Sequence, residues 1–446
     1  MLYYIVFVFL SLVVTFIFLT KKKYFIIAFF ALLLLQPVFQ KLSDPTIYGD
    51  TLRDVSLDRI KTSLILIPLS MACMPLMRFK VTKDLSKITC FFVLYIFFNF
   101  LSALFSIDVE QSTNLLLISV ICPILFFYTL YSMDEKYFRD LQWLNRSLSY
   151  IFLFCVVIGL LYIAIYEGLS MYSFADFRGL NGIWLNNYSM QVMLLFVPIL
   201  LINSAKKKTL VYIFTIIGIL LMLTIAMSRV AIIAFIFQIV VLTVKKEIKK
   251  SYLMGFSLTF LIGVSFLSLK LDSSLLDIIL DRFISTESSV IETTMEDARF
   301  YIWERSFELI KENFYWGIGM GNFYLFTSVG FSDSHNLFIS VLQSRGVFNF
   351  VLVIIGFIYM YFQNLKISKV ADPYYSKFLG YLRLGLIGYL LASMTGSDLF
   401  IYSGLCNAWP MYFLILMLVI QLKIKAVIKA ENRRKEIKTI SNEIKY

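Results

Sequence analysis

What most constrains this chain is a recurrence of apolar stretches near the length that crosses a bilayer. A transmembrane helix takes roughly 20 mostly apolar residues, with a range of about 17–25. Runs of that kind fall at 2–20, 24–39, 62–77, 88–106, 113–131, 147–166, 189–203, 209–227, 229–244, 251–269, 347–363, 378–395 and 409–422. Some are short, and only Ser228 and Arg229 separate one neighbouring pair. The pattern predicts an all-α polytopic integral membrane protein with about 12–13 transmembrane helices. Composition agrees: 59% of residues are hydrophobic and 16% charged, whereas soluble domains sit at about 45–50% and about 25%.

Lysine and arginine set the orientation of such a bundle, because cytoplasmic loops collect them. They cluster at 21–23, at Arg78, Lys80, Lys83 and Lys87, at 206–208, at Lys245, Lys246, Lys249 and Lys250, and in the tail at Arg433, Arg434 and Lys435. Alternating the spans puts all of these on one side, which is read as the cytoplasm. The segments 40–61, 107–112, 167–188, 270–346 and 396–408, and the turn at Ser228, are then external. Placed in short runs between spans, the net charge of +12 fits topology and not nucleic-acid binding. The cysteines form no CxxC pair or His/Cys cluster, so neither a disulfide framework nor a zinc site is supported. Residues 2–20 lack a basic lead and a small-residue cleavage site, and read as a retained span.

The chain divides into an N-terminal bundle, 1–208, with the external loop 167–188, and a core, 209–363, with the long external loop 270–346. The C-terminal spans, 364–422, and a basic cytoplasmic tail, 423–446, follow. In the long loop eleven acidic residues face six basic ones, a balance that an external loop permits. Within it Phe300, Trp303, Phe307 and Ile310 recur at helical spacing, which predicts an amphipathic helix over 296–313. Asn313 and Gly317 would stop it. Ser332 to Ser334 offer N-caps for a second helix with His335 in its first turn and Gly346 at its end. The run from Gly317 to Asn322 has no βαβ context and reads as a flexible connector, not as a phosphate loop.

Three of the basic residues on the external side stand out as mapping to the ends of spans, where they do not serve orientation: Arg178, Arg229 and His335, the only histidine. Each has a structural alternative. Arg229 would serve as a snorkelling interfacial side chain, Arg178 as a solvated loop charge, and His335 as a polar residue satisfied at a helix start. Together they suit one chemistry. A guanidinium fork matches phosphate oxygens, and a neutral imidazole accepts a proton near neutral pH. Such a set fits transfer from a phosphate-linked donor to a hydroxyl, with no metal or other cofactor. Asp176, Asn186, Asn187 and Asp333 would line a sugar site, and Arg383, inside an apolar run, would pair with Asp398 or face a cavity.

Local signatures resemble the bacterial O-antigen polymerase and O-antigen ligase superfamily. These are Arg178-Gly179 followed by Asn186-Asn187, the Ser228-Arg229 turn, and the order Arg299, Trp303, Gly317-Ile318-Gly319, His335-Asn336, Gly346 running into a span. The family more often has Asn-Pro-Asn where this chain has Asn186-Asn187. The resemblance is densest over 209–363. It implies a GT-C-like fold with one long external helical loop, in the bacterial inner membrane, and an active site facing the periplasm or exterior. It also implies a glycosyltransferase that takes undecaprenyl-diphosphate-linked glycans as donor and acceptor by metal-independent, inverting transfer. Arg178 and Arg229 would hold the donor diphosphate and His335 would be, or orient, the base, with Asn336, Arg299 and Asn187 in support. Membrane lipid and a chain-length regulator protein are the expected partners.

Polymerase is the preferred activity, because this chain departs from the family's asparagine pattern as divergent polymerases do. O-antigen ligase is the alternative, and a transporter of lipid-linked saccharide is a third reading. A carrier would tolerate loss of His335 better than an enzyme. For topology, a cysteine placed at Ser328 is expected to react with an impermeant thiol reagent in intact spheroplasts; protection there would overturn the orientation.

Overall fold

The computed structural model describes residues 2–32, 82–166, 196–205, 218–219, 229–248, 290–326, 334, 336–394 and 409–443. These residues are mostly helical, with no strand among them. The helices are α1 (Leu2–Thr20), α2 (Lys83–Leu104), α3 (Val109–Leu116), α4 (Cys122–Tyr131), α5 (Glu135–Arg139) and α6 (Leu141–Tyr166). Then come α7 (Val197–Ala205), α8 (Arg229–Val244), α9 (Val290–Glu312), α10 (Leu337–Val370), α11 (Pro373–Ser393) and α12 (Trp409–Glu443). A π-turn, Leu117–Ile121, joins α3 to α4 without ending the helical path. Four of these paths are long and apolar enough to cross a membrane: Lys83–Leu104, Val109–Tyr131, Leu337–Val370 and Met411–Arg434. The expected spans at 62–77 and 251–269, and 209–227 apart from 218–219, lie outside the described residues.

The outer faces of two long helices are apolar, and polar residues are set into their inner faces. On α2, Val93, Phe97, Phe100 and Leu104 recur at spacings of three and four and are exposed. Val351, Ile355, Ile358 and Phe362 repeat that pattern on α10. Facing inward on α2 are Tyr95, Asn99 and Ser102, all buried. An apolar stripe at helical period on the outer surface is what lipid covers. The chain is therefore an all-α, multi-pass membrane protein.

Aromatic packing ties the first segment to the last. Phe29 stacks on Phe126 of α4 with centroids 4.1 Å apart, and Phe126 meets Tyr412 of α12 edge-on at 5.2 Å. Phe30 sits 4.4 Å from Phe413.

Polar contacts sort the helix ends into two layers. In one, Lys425 pairs with Asp84 at 2.7 Å, and Lys423 donates to the Met133 carbonyl at 2.7 Å. Arg139 pairs with Glu431 at 3.5 Å, and Lys377 and Tyr381 both reach Glu247. Every one of these residues falls in or beside a segment that the alternation of spans puts on the basic side. At the opposite ends, residues 106–112, 314–322, 336–347 and 394 are bonded to one another. The tail stays helical through Glu443.

α10 explains its own length. Its 34 residues would span about 51 Å at about 1.5 Å per residue, well beyond a hydrocarbon core of about 30 Å. Gly346, with φ 74° and ψ 177°, breaks it. The portion from Val347 to Val370 measures about 36 Å, enough to cross, and the short portion before it stays at the end layer. The sequence expected a helix end at Gly346, and a change of direction is what occurs there.

Candidate functional site

The candidate site is the layer formed by the C-terminal end of α2, the start of α3, the segment after α9 and the start of α10. At its centre is the break at Gly346. In an unbroken helix the Val347 N–H would bond to the Gln343 carbonyl, and the next N–H to that of Ser344. Here the Val347 N–H donates to the Phe314 carbonyl at 2.9 Å. The carbonyls of Gln343 and Ser344 accept instead from the N–H groups of Ile318 (2.9 Å) and Gly319 (3.0 Å). Ser102 Oγ adds a bond to the Ser344 carbonyl at 3.3 Å.

Only glycine allows this approach. A Cβ on Gly346 would run into the Tyr315 carbonyl oxygen, and one on Gly317 would lie 2.7 Å from the Gly346 nitrogen. Gly317 and Gly346 also sit at φ 73° and 74°, a region that side chains disfavour. The far edge of the segment is bound to α3: Ser112 Oγ donates to the Met320 carbonyl at 3.1 Å, and Gln111 Nε2 to that of Gly321 at 3.2 Å. Ile318, Met320 and Asn322 are all buried. The expectation of a flexible connector is thus corrected. Residues 317–322 form a fixed clasp, because the broken helix offers unpaired backbone groups that another backbone must satisfy.

Beneath the clasp lies a buried arginine. Arg345 is fully buried, and its guanidinium donates to Tyr95 Oη (3.2 Å), Asn99 Oδ1 (2.8 Å) and Ser119 Oγ (3.2 Å). Asn99 Nδ2 donates to Asn349 Oδ1 at 2.7 Å, and Asn349 Nδ2 to the Arg345 carbonyl at 2.8 Å. Ser119 touches Met320 at 3.8 Å, so the network reaches the clasp. Arg345 therefore locks α2, the π-turn after α3 and α10 to one another. Read from the sequence it counts only as one of the basic residues of the long loop. The available signal was the polar spacing of Asn99, Ser102 and Ser106 at three and four residues along an apolar run.

Several predicted site residues can be placed. Asn336, and not a serine from 332–334, caps α10: its Oδ1 accepts from the N–H groups of Phe338 (3.0 Å) and Ile339 (3.2 Å). The helix therefore begins at Leu337, and the expected place of His335 in its first turn lies outside the described residues. The Asn336 Nδ2 reaches across to the Met394 carbonyl at the end of α11, 2.8 Å away. Arg229 opens α8 and Arg299 lies on α9, one turn before Trp303; both side chains lie outside the described residues, as do Arg178, Asn187 and His335 altogether.

The level of Arg229 follows from helix register. α8 and α11 run antiparallel, with Gln238 Nε2 3.5 Å from the Leu384 carbonyl and Glu247 beside Lys377. Nine residues back from Gln238, about 13 Å along α8, brings the Arg229 backbone level with the Met394 end of α11. The starts of α8 and α10 thus share one layer. Arg383 donates to Asn364 Oδ1 of α10 at 3.2 Å, while its expected partner Asp398 lies outside the described residues.

The amphipathic helix exists, and of its expected stripe Trp303 and Ile310 lie inward while Phe307 does not. Among the positions of α9 whose side chains are described, Ile302, Ser306, Leu309 and Ile310 are buried, with Ile302 and Leu309 packed on Ile318 and Phe323, whereas Phe307 is 50% exposed. Trp303 is partly buried beside them, and its Nε1 donates to the Ser334 carbonyl at 2.9 Å.

Against known proteins, residues 213–354 match the family model described as O-antigen ligase. This agrees with the O-antigen polymerase and ligase superfamily that the sequence resembles. No curated protein matches the chain. The matched stretch contains α8, α9, the clasp, the Asn336 cap and the break at Gly346.

The clasp gives a paired test. Gly346→Ala is expected to destabilise the protein by about 1–3 kcal/mol from backbone strain alone, read as a lower melting temperature in detergent. Gly356→Ala, in the same helix, would meet only Phe91 Cζ at 3.4 Å and is expected to leave melting unchanged. Equal melting of the two variants would contradict the clasp.

Proposed function

We propose, starting from the O-antigen ligase match over residues 213–354, that this chain is a membrane glycosyltransferase of the polymerase kind. It joins undecaprenyl-diphosphate-linked oligosaccharide repeat units into O-antigen or a similar surface polysaccharide at the periplasmic or outer face of the inner membrane. The observation that carries the reading is the convergence of α8, α10 and α11 at one layer, with the start of α8 level with Met394 and Asn336 bonded to Met394. The match and the helix register together support a shared site for Arg229 and residue 335.

In this reading the acceptor sugar hydroxyl attacks the anomeric carbon of the donor, forming the glycosidic bond as the bond to the diphosphate oxygen breaks. His335 takes the hydroxyl proton. Arg178 and Arg229 hold the diphosphate and neutralise the charge it gains on leaving. Single displacement inverts the anomeric centre. Arg299, Asn187 and Asn336 support donor and acceptor, and the residues require no metal.

A ligase reading has one specific observation in its favour, the description of the matched family. Product analysis in a strain lacking the gene separates the two. Single repeat units on the outer surface are expected for a lost polymerase, and lipid-linked polymer with none on the core would indicate a lost ligase.

Within the site, His335→Ala is expected to abolish polymer while the protein accumulates normally in the membrane. Arg229→Lys is expected to fall short of full activity, because lysine lacks the bidentate fork. Wild-type polymer from the histidine variant would remove the proposed base, and full activity of the lysine variant would reduce Arg229 to a point charge.

A further inference from the structure

We infer that Trp303 is a positioning residue for glycosyl transfer, acting through its hydrogen bond to the Ser334 carbonyl on the residue that follows. The inference rests on the reading of His335 as base. The Ser334 carbonyl and the amide of residue 335 belong to one planar peptide unit, so fixing the carbonyl direction fixes that plane. The Trp303 indole donates to this oxygen at 2.9 Å. Ser334 itself is buried, and its Oγ lies 2.7 Å from Ser340 Oγ and 3.2 Å from the Asn336 carbonyl. On the other side Asn336 is held by its cap and by Met394. The two neighbours of residue 335 are therefore each anchored by a different helix, α9 through Trp303 and α11 through Met394.

The indole bond is not what holds this region folded. The start of α10 is already capped by Asn336, and the clasp ties it to α2 and α3. The ring of Trp303 packs with Ile302, Leu309, Ile318 and Phe323, a contact that a phenylalanine would largely keep. What the N–H alone adds is direction at the 334–335 peptide. A single neutral hydrogen bond contributes little to stability, whereas displacement of a catalytic group by about 1 Å can cost about 100-fold in rate. The two roles predict different experimental signatures.

The test uses the full chain in membrane vesicles, with lipid-linked repeat units extracted from a strain lacking the gene as substrate. Trp303→Phe is expected to lower kcat about 10- to 100-fold with KM, protein amount and melting unchanged. Replacement of Trp303 by 3-benzothienylalanine, which puts sulfur where the N–H was and keeps the ring shape, is expected to give the same loss. That second variant decides the matter if the phenylalanine protein fails to accumulate. Undiminished kcat in both Trp303 variants would overturn the positioning role and leave the base in place. Wild-type rate in His335→Ala would instead remove the base itself, and the inference with it.

Discussion

Backbone hydrogen bonding at the edge of a bilayer leaves little room for error, because the apolar region offers no water to a carbonyl that loses its partner. The break of α10 at Gly346 creates such carbonyls at Gln343 and Ser344, and the clasp supplies the missing donors from Ile318 and Gly319. Much else in the end layer depends on this exchange. The Val347 N–H is released to bind Phe314, which fixes the end of α9. The clasp then presents its other edge to Ser112 and Gln111, so that α3 is fixed relative to α10. One helix break thereby organises three helices.

Arg345 supports the break from within. Burying a guanidinium is costly unless it is hydrogen-bonded, and here Nη1 and Nη2 meet Tyr95, Asn99 and Ser119 from α2 and the turn after α3. Neutral interhelical bonds in membrane bundles average only about 0.6 kcal/mol, while bonds to charged groups contribute about 1.5–3 kcal/mol. The arginine, more than the Asn99–Asn349 pair beside it, therefore sets the register of α2 against α10. With that frame fixed, Trp303 and Met394 hold the residues flanking position 335, and α8 delivers the Arg229 backbone to the same level.

The spans were legible because lipid imposes a length and an apolar character on them. The runs at 88–106, 113–131, 229–244 and 378–395 match α2, α3 with α4, α8 and α11 closely. Pairing of the helix ends was legible too, since Asp84, Glu247 and Lys425 gather in or beside the basic segments that the alternation grouped. The face of α9 was legible only in part. Trp303 and Ile310 of the expected stripe do lie inward, but Phe307 is exposed and the interior accepts Ser306, whose hydroxyl bonds back to the Ile302 carbonyl at 2.6 Å. The cap of α10 was also ambiguous, because Ser332, Asp333, Ser334 and Asn336 all have suitable side chains, and Met394, remote in sequence, favours Asn336. The glycines of the clasp looked like slack for the same reason: their partner is a helix break, and no local pattern announces one.

The account stands or falls on group transfer between lipid-linked glycans. Purified protein reconstituted in vesicles with lipid-linked repeat units, in the presence of EDTA, tests it most directly. The account predicts a ladder of longer lipid-linked glycans, with one undecaprenyl diphosphate released for each unit added. Repeat units that stay unchanged, or that only cross the bilayer without reacting, would contradict it.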